Sequence, residues 1–230
     1  MPEAGRRSDN DGLEFAEAQV DTYAVIDFET TGLSPAHGAR PTEVAVVRVR
    51  GGEIVDRFQS LMNPGMPIPY DIQAFTGITD AMVRRAPSIG EVMGEAVRFV
   101  GGFPLVAHNA AFDRKFWERE TRGLEPRHDN TFVCSLLLAR RLFPNAPNHK
   151  LATLVRMLRL PSDGRFHRAL ADAECTAHLF IRLRQEITRT FQVRDFDCGL
   201  LQKMQTTHRL KLARCVERYC DETAESLDAG

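Results

Sequence analysis

Asp27 and Glu29 interrupt an otherwise apolar run, AVIDFETTGLSP at residues 24–35, whose content reads as a buried β-strand. Alternation along TYAVIDFE puts Tyr23, Val25, Asp27 and Glu29 on one face of the strand and Ala24, Ile26 and Phe28 on the other. The two acids therefore emerge on the same side, about 6 to 7 Å apart at Cα. A solvated edge strand is the ordinary home for such a pair. With Val25, Ile26 and Phe28 as flanks and a Thr-Thr-Gly turn behind, neighbouring backbone and helices are expected to cover them instead. Covered carboxylates must protonate, pair with a base or bind a cation. A hard divalent ion such as Mg²⁺, which takes oxygen ligands, is the natural third solution.

The rest of the chain has room for such a site. At 230 residues, 43% hydrophobic and 27% charged, it suits one globular α/β domain with appendages. No apolar stretch approaches the roughly 18 uninterrupted residues of a membrane span. The first 20 residues lack the apolar core of a secretory signal, so a soluble, cytoplasmic protein is expected. The net charge of −1 decides nothing, because carboxylates gathered at a metal site offset arginines elsewhere. Five cysteines without paired spacing fit reduced thiols. Cys198, His208, Cys215 and Cys220 stand 10, 7 and 5 residues apart, unlike the pairs of a zinc site, and read as part of a helical tail.

Residues 1–20 are polar and aperiodic and read as a flexible leader, and the fold is expected to occupy residues 21–190. TEVAVVRVR and EIVDRFQSLMNP are two further strands joined by the two-residue turn Gly51-Gly52, which makes the first three strands an antiparallel meander. Helices then dominate. Ser88 and Glu91 form a capping box ahead of VMGEAVRFV, where Val92, Ala96, Val97 and Val100 line one face. FPLVAHN and NTFVCS are short fourth and fifth strands, separated by the helix AAFDRKFWERETR. LLLARRLF and KLATLVRMLRL are helices, and one long helix spans Ala169 to about Thr190 with Ala173, Ala177, Phe180, Ile181 and Leu183 toward the core. The result is a mixed five-stranded sheet flanked by helices. Residues 191–230 read as a helical extension, with DETAESLDAG as an acidic frayed end.

A metal at Asp27 and Glu29 calls for further carboxylates from other elements. Asp113, in VAHNAAFDRKF, lies in the first turns of a helix after the fourth strand. Asp172, in RFHRALADAECT, opens the long helix five residues after His167. Taken singly, either acid merely complements a helix dipole. Together, DFETTG, HNAAFD and HRALAD occur in this order at a strand end, a strand-to-helix junction and a helix start.

These three segments resemble the three motifs of the DEDDh (DnaQ-like) 3′-5′ exonuclease family, which includes the proofreading epsilon subunit of bacterial DNA polymerase III. The resemblance covers residues 22 to about 188, and RPTEVAVVRV, FTGITDAMV and CSLLLARRLFPNAPNHKLATLVRML agree with it. Cys134-Ser135 departs from the Asp-Thr or Cys-Thr of many relatives, a change expected to affect local helix capping more than chemistry.

The resemblance implies an RNase H-like fold and two Mg²⁺ or Mn²⁺ ions held by Asp27, Glu29, Asp113 and Asp172, with His167 as general base. Such ions activate water, shield the phosphate and stabilise the leaving oxygen, and a histidine can take the proton near neutral pH. Arg165 and Arg168 flank that histidine. Backbone around Thr30, Thr31 and Gly32 is expected to seat the terminal nucleotide, with Leu33, Ile78 and Phe112 as apolar faces for its base. His108 and Asn109 either touch phosphate and orient Asp113 or satisfy local backbone.

The substrate implied is single-stranded or frayed DNA at its 3′ end. RNA trimming on the same scaffold is the alternative, and a non-catalytic nucleic-acid-binding module is the alternative from another class. DFETTG followed by FTGITD resembles the polymerase-associated branch more than the oligoribonuclease branch. Residues 195–220 are expected to dock on a DNA polymerase, on a second copy or on the domain itself. QKMQTTHRL resembles glutamine-led clamp-binding peptides but lacks their aromatic or Leu-Phe ending, so an ordinary packing helix is expected there.

Overall fold

The computed structural model describes residues 21–164 and 166–228, so the expected leader and Arg165 lie outside the described residues. Strands β1 (Thr22–Thr30), β2 (Pro41–Arg50) and β3 (Glu53–Leu61) form the antiparallel meander. The turn between β2 and β3 is the pair Gly51 and Gly52, both at positive φ (59° and 81°), the conformation a twisted two-residue hairpin needs. Short strands β4 (Leu105–Ala107) and β5 (Phe132–Cys134) add in parallel and complete a five-stranded sheet in the order β3-β2-β1-β4-β5.

Helices follow the meander: α1 (Tyr70–Thr76), α2 (Asp80–Val83), α3 (Ile89–Val100), α4 (Ala111–Glu120), α5 (Ser135–Leu142), α6 (Leu151–Leu158) and α7 (Ala169–Phe191). The capping box at the front of α3 is present in both halves, with Ser88 Oγ accepting from Glu91 N and Glu91 Oε2 accepting from Ser88 N.

Alternation along the strands divides the core in two. Ala24, Ile26, Phe28, Val44 and Val46 pack against α3 and α4. Tyr23, Val25, Ala45, Val47 and Val49 pack on the other face against α5 and α7. The α7 residues Ala173, Ala177, Phe180 and Leu183 are buried as expected, while Ile181 sits half-buried at the margin of that core.

The segment after α7 forms α8 (Cys198–Thr206) and α9 (Leu212–Asp228). Leu200, Leu201, Met204, Leu212, Val216 and Tyr219 join the same core as the sheet. Cys134 N donates to Gln205 Oε1 at 2.7 Å, and Arg141 Nε donates to Thr207 O at 2.8 Å. Of the three docking expectations for residues 195–220, the structure shows the segment packed on its own domain. Helix α9 runs to Asp228, so residues 221–228 of the stretch expected to be an acidic frayed end are helical, and residues 229–230 lie outside the described residues. All five cysteines are free thiols.

Candidate active site

β1 changes character along its length. Ala24 and Val25 pair with Leu105 and Val106 of β4, and beyond them β4 contributes no further pairing to β1. β1 continues to Thr30 with only β2 beside it, so a cleft opens where the two parallel strands part at their carboxyl ends. The amide of Phe28, freed there from the sheet ladder, donates to Asp113 Oδ1 at 3.2 Å. Asp113 stands at the third position of α4 and is buried, so its helix is docked to β1 through a site acid.

Because Asp27 and Glu29 continue the face that carries Tyr23 and Val25, both point toward α7, whose first turn brings Asp172. One carboxylate oxygen from each of Asp27, Glu29 and Asp172 lies within 4.8 Å of the others. Asp113 stands outside this cluster of three. Among the described residues this is the one acid, cysteine and histidine grouping with metal-ligand spacing, and the helical tail cysteines form none.

The electrostatics are those of a site built for cations. Burial first, then the charges of Asp113, Asp172, Glu29 and Glu43, holds the Asp27 carboxyl well above the usual carboxylate range. Burial and the charges of Asp172 and Glu43 push Glu29 up to about 8. Burial pushes Asp113 up to about 8 as well, against the pull of its backbone donors. Asp172 is raised by burial, although the His167 amide that donates to its Oδ2 at 2.9 Å opposes this. Its Oδ1 is buried without a hydrogen-bond partner. Three converging carboxylates, one of them with a buried oxygen that has no hydrogen-bond partner, are the oxygen donor set a hard divalent cation takes, so the residues fit the metal that the sequence implies.

His167 lies at the rim of this cluster, exposed and in the left-handed region at φ 68°. Its ring packs on Phe75 of α1, with centroids 3.9 Å apart. The Thr30-Thr31-Gly32 turn is held by Thr31 N donating to Arg40 O at 2.8 Å and by Arg40 N donating to Thr31 Oγ1 at 3.0 Å. A Cβ at Gly32 would meet Ala39 Cβ at 3.4 Å, a tight contact on the inner side. Leu33, next in the chain, is 83% exposed, and Phe112 is half-buried beside Phe116.

Two expected contacts are not available to a substrate. Ile78 is fully buried in a small cluster with Ile68 and Val83, so it supports the surface without forming it. His108 spends both ring nitrogens, Nδ1 on Ser135 Oγ and Nε2 on His149 O, each at 2.9 Å, and burial lowers its pKa. It braces the end of β4 against α5, while Asn109 beside it is exposed at φ 77° and its carbonyl accepts from Phe112 N. Sequence reasoning passed over Phe75 and Glu43. Glu43 carried a usable signal, since it interrupts the apolar strand TEVAVVRVR just as Asp27 interrupts its own.

A mixed sheet of this order, opening at its central strand onto a carboxylate cluster, defines a metal-dependent nuclease on an RNase H-like fold. The profile of the exonuclease family (RNase T type) matches residues 24–180, and the chain belongs to the DEDDh 3′-5′ exonuclease family. It is 40% identical over 195 residues to a DNA polymerase III PolC-type protein of Bacillus cereus, covering 81% of this chain and 13% of that one. A DNA polymerase III subunit epsilon-like protein of Rhodobacter capsulatus is 41% identical over 174 residues, covering 73% of this chain and 25% of the relative. This chain thus spans only a small part of the curated relatives it matches. Among solved structures, Exonuclease X in complex with 5′ overhanging duplex DNA is 30% identical with a TM-score of 0.61, covering 78% of this chain and 98% of that one. The nuclease domain of 3′hExo, a DEDDh family member bound to rAMP, shares the fold at 24% identity with a TM-score of 0.62. No helix among the described residues is long and apolar enough to cross a membrane.

Proposed function

We propose that the chain removes nucleotides from the 3′ end of single-stranded or frayed DNA, in the setting of DNA proofreading or repair. The observation that carries this reading is the convergence of Asp27, Glu29 and Asp172 within 4.8 Å at the open end of β1, with His167 at the rim. The relatives similar to it include polymerase III proteins, and Exonuclease X, similar over nearly its whole length, was solved with a duplex bearing a 5′ overhang. On that ground a DNA polymerase is the proposed partner.

Asp27, Glu29 and Asp172 would hold the divalent ions, Mg²⁺ or Mn²⁺ at two per site, with Asp113 contributing from α4, where it is bonded to the Phe28 amide. Bound ions of this kind lower the pKa of water and offset charge at the scissile phosphate. His167 takes the proton of the attacking water on its imidazole, from an exposed ring that Phe75 holds in place. Thr30, Thr31 and Gly32 seat the terminal nucleotide through backbone groups, and Leu33 offers an exposed apolar face to its base. Catalysis rests on positioning and on charge arranged around the phosphate.

The test is a labelled-oligonucleotide digestion with Mg²⁺, Mn²⁺ or chelator, using matched DNA and RNA. A ladder shortening from the 3′ end of DNA and halted by chelator is expected. Equal or faster loss of RNA would reverse the substrate assignment, and activity that survived Asp27→Ala would overturn the enzymatic reading.

A further inference from the structure

Glu43 is the most completely bonded carboxylate near the site, and it is not a member of the acid cluster. It lies on β2 directly across from Glu29 in the β1–β2 register and is fully buried. Its Oε1 accepts from Arg168 Nη2 at 2.7 Å and from Gln59 Nε2 at 2.8 Å. Its Oε2 accepts from Arg168 Nε at 3.1 Å and from Ala169 N at 3.1 Å. With two donors on each oxygen, it has nothing left to offer a metal ion.

Those donors belong to the front of α7. Arg168 is the N-cap residue and makes no side-chain cap of its own. The first helical amide, Ala169 N, is instead capped in trans by Glu43 from the neighbouring strand. Arg168 O accepts from Asp172 N at 3.0 Å, and Asp172 Oδ2 accepts from His167 N at 2.9 Å. The links form a continuous chain: Glu43 holds Arg168 and Ala169, Arg168 holds Asp172, and Asp172 holds His167. The apolar face of α7 seats the helix on the sheet, and the polar links that fix its first turn, where Asp172 and His167 stand, converge on Glu43.

We infer that Glu43 and Arg168 are positioning residues that set Asp172 and His167 relative to the metal-holding acids of β1. This deepens the proposed function and rests on its assignment of Asp172 and His167. Replacing the Glu43 carboxylate by an amide removes the charge and turns one of its two accepting oxygens into a donor, so the fork is broken or the cap lost, and the front of α7 loosens while the substrate-seating turn at Thr30–Leu33 is untouched. Groups that hold the holders of a metal typically matter by about 10- to 100-fold in metal affinity or activity.

The experiment compares wild type with Glu43→Gln, Arg168→Gln and the double variant. Mn²⁺ binding is measured without substrate, hydrogen exchange is followed along α7, and kcat and KM are measured on a single-stranded DNA oligomer. Expected are a weakening of Mn²⁺ binding and a fall in kcat of about 10- to 100-fold each, with KM held within about twofold. Exchange should rise selectively in the first turn of α7. The double variant should be no worse than the more damaged single one, because the two residues act as one unit. Arg168→Lys, which keeps the charge but loses the fork, should restore part of the Mn²⁺ affinity, and it serves as the test if Glu43→Gln does not fold. Unchanged Mn²⁺ binding and kcat alongside a lowered melting temperature would overturn the inference, as would exchange that rose evenly through the chain. If wild type binds Mn²⁺ and the α7 effects appear but no oligomer is cut, the proposed function fails and the positioning stands.

Discussion

Glu29 and Glu43 face each other across β1 and β2, both buried, yet they are treated in opposite ways. Glu43 is surrounded by donors from Arg168, Ala169 and Gln59. Glu29 is set among carboxylates and its pKa is pushed up to about 8. A buried charge with a full set of partners organises its surroundings, whereas one among like charges holds a place for a cation. The same residue type, at facing positions of one sheet, thus stands as framework in one case and, on the proposed function, as instrument in the other.

The largest effect that would break this comparison lies on the instrument side. Asp27→Asn is expected to lower nuclease activity by about 10²- to 10³-fold or more, read on a labelled oligomer. In chelator the same variant should melt no lower than wild type, because an amide spares this buried position the cost of carrying a further negative charge among like charges. An active Asp27→Asn, or one that melts well below wild type without metal, would place Asp27 in the framework.

On the framework side, Glu43→Ala leaves the Arg168 fork and the Ala169 amide unsatisfied. It should cost about 1–3 kcal/mol in urea unfolding, at the lower end because Arg168 is partly solvated. No loss would mean that water replaces the carboxylate freely.

The raised acids should also show themselves in pH. Glu29 and Asp113 are raised to about 8 from ordinary values near 4, so the folded, metal-free protein holds protons that the unfolded chain releases. The contribution of these groups is fully present below about pH 4 and is lost as pH rises through about 8. Melting temperature in chelator is therefore expected to fall across that window. Saturating Mg²⁺ should flatten or reverse the trend, since the ion selects the ionised forms. A chelated protein that grew steadily more stable from pH 5 to 8 would contradict these shifts.

The smallest expected effect concerns the front of α3, which is capped by its own Ser88 and Glu91. Ser88→Ala should cost about 1 kcal/mol and leave kcat unchanged. A cap in cis far from the acids is then separable from the trans cap that Glu43 gives α7.

How much of this was legible depends on how each residue signals. Asp27 and Glu29 could be found because they break an apolar strand pattern, and Asp172 because it follows a histidine at a helix start. The meander was legible from period-two alternation and the Gly51-Gly52 turn. Ile78, Leu33 and Phe75 were not legible in the same way, since an apolar side chain looks alike in sequence whether it fills a core or faces solvent. Ile78 proved buried, while Leu33 and Phe75 proved exposed. His108 showed a polar side chain beside an acid, but its partners, Ser135 and His149, come from distant stretches of chain. The helical run of α9 past Asp221 was not legible, because an acidic, aperiodic stretch reads alike in sequence whether or not it continues a helix.

The bond between Phe28 N and Asp113 Oδ1 carries one more consequence. Asp113 is at once a chemical group and a stand-in for the missing strand partner of β1. An asparagine there keeps the accepting oxygen and gives up only the charge, so exchanging one oxygen for nitrogen would leave the sheet closed while disarming the cleft. On the proposed function, folding and turnover would meet at this one carboxylate. On that function, a chain of this shape can become a silent copy of itself, fully folded with its chemistry removed.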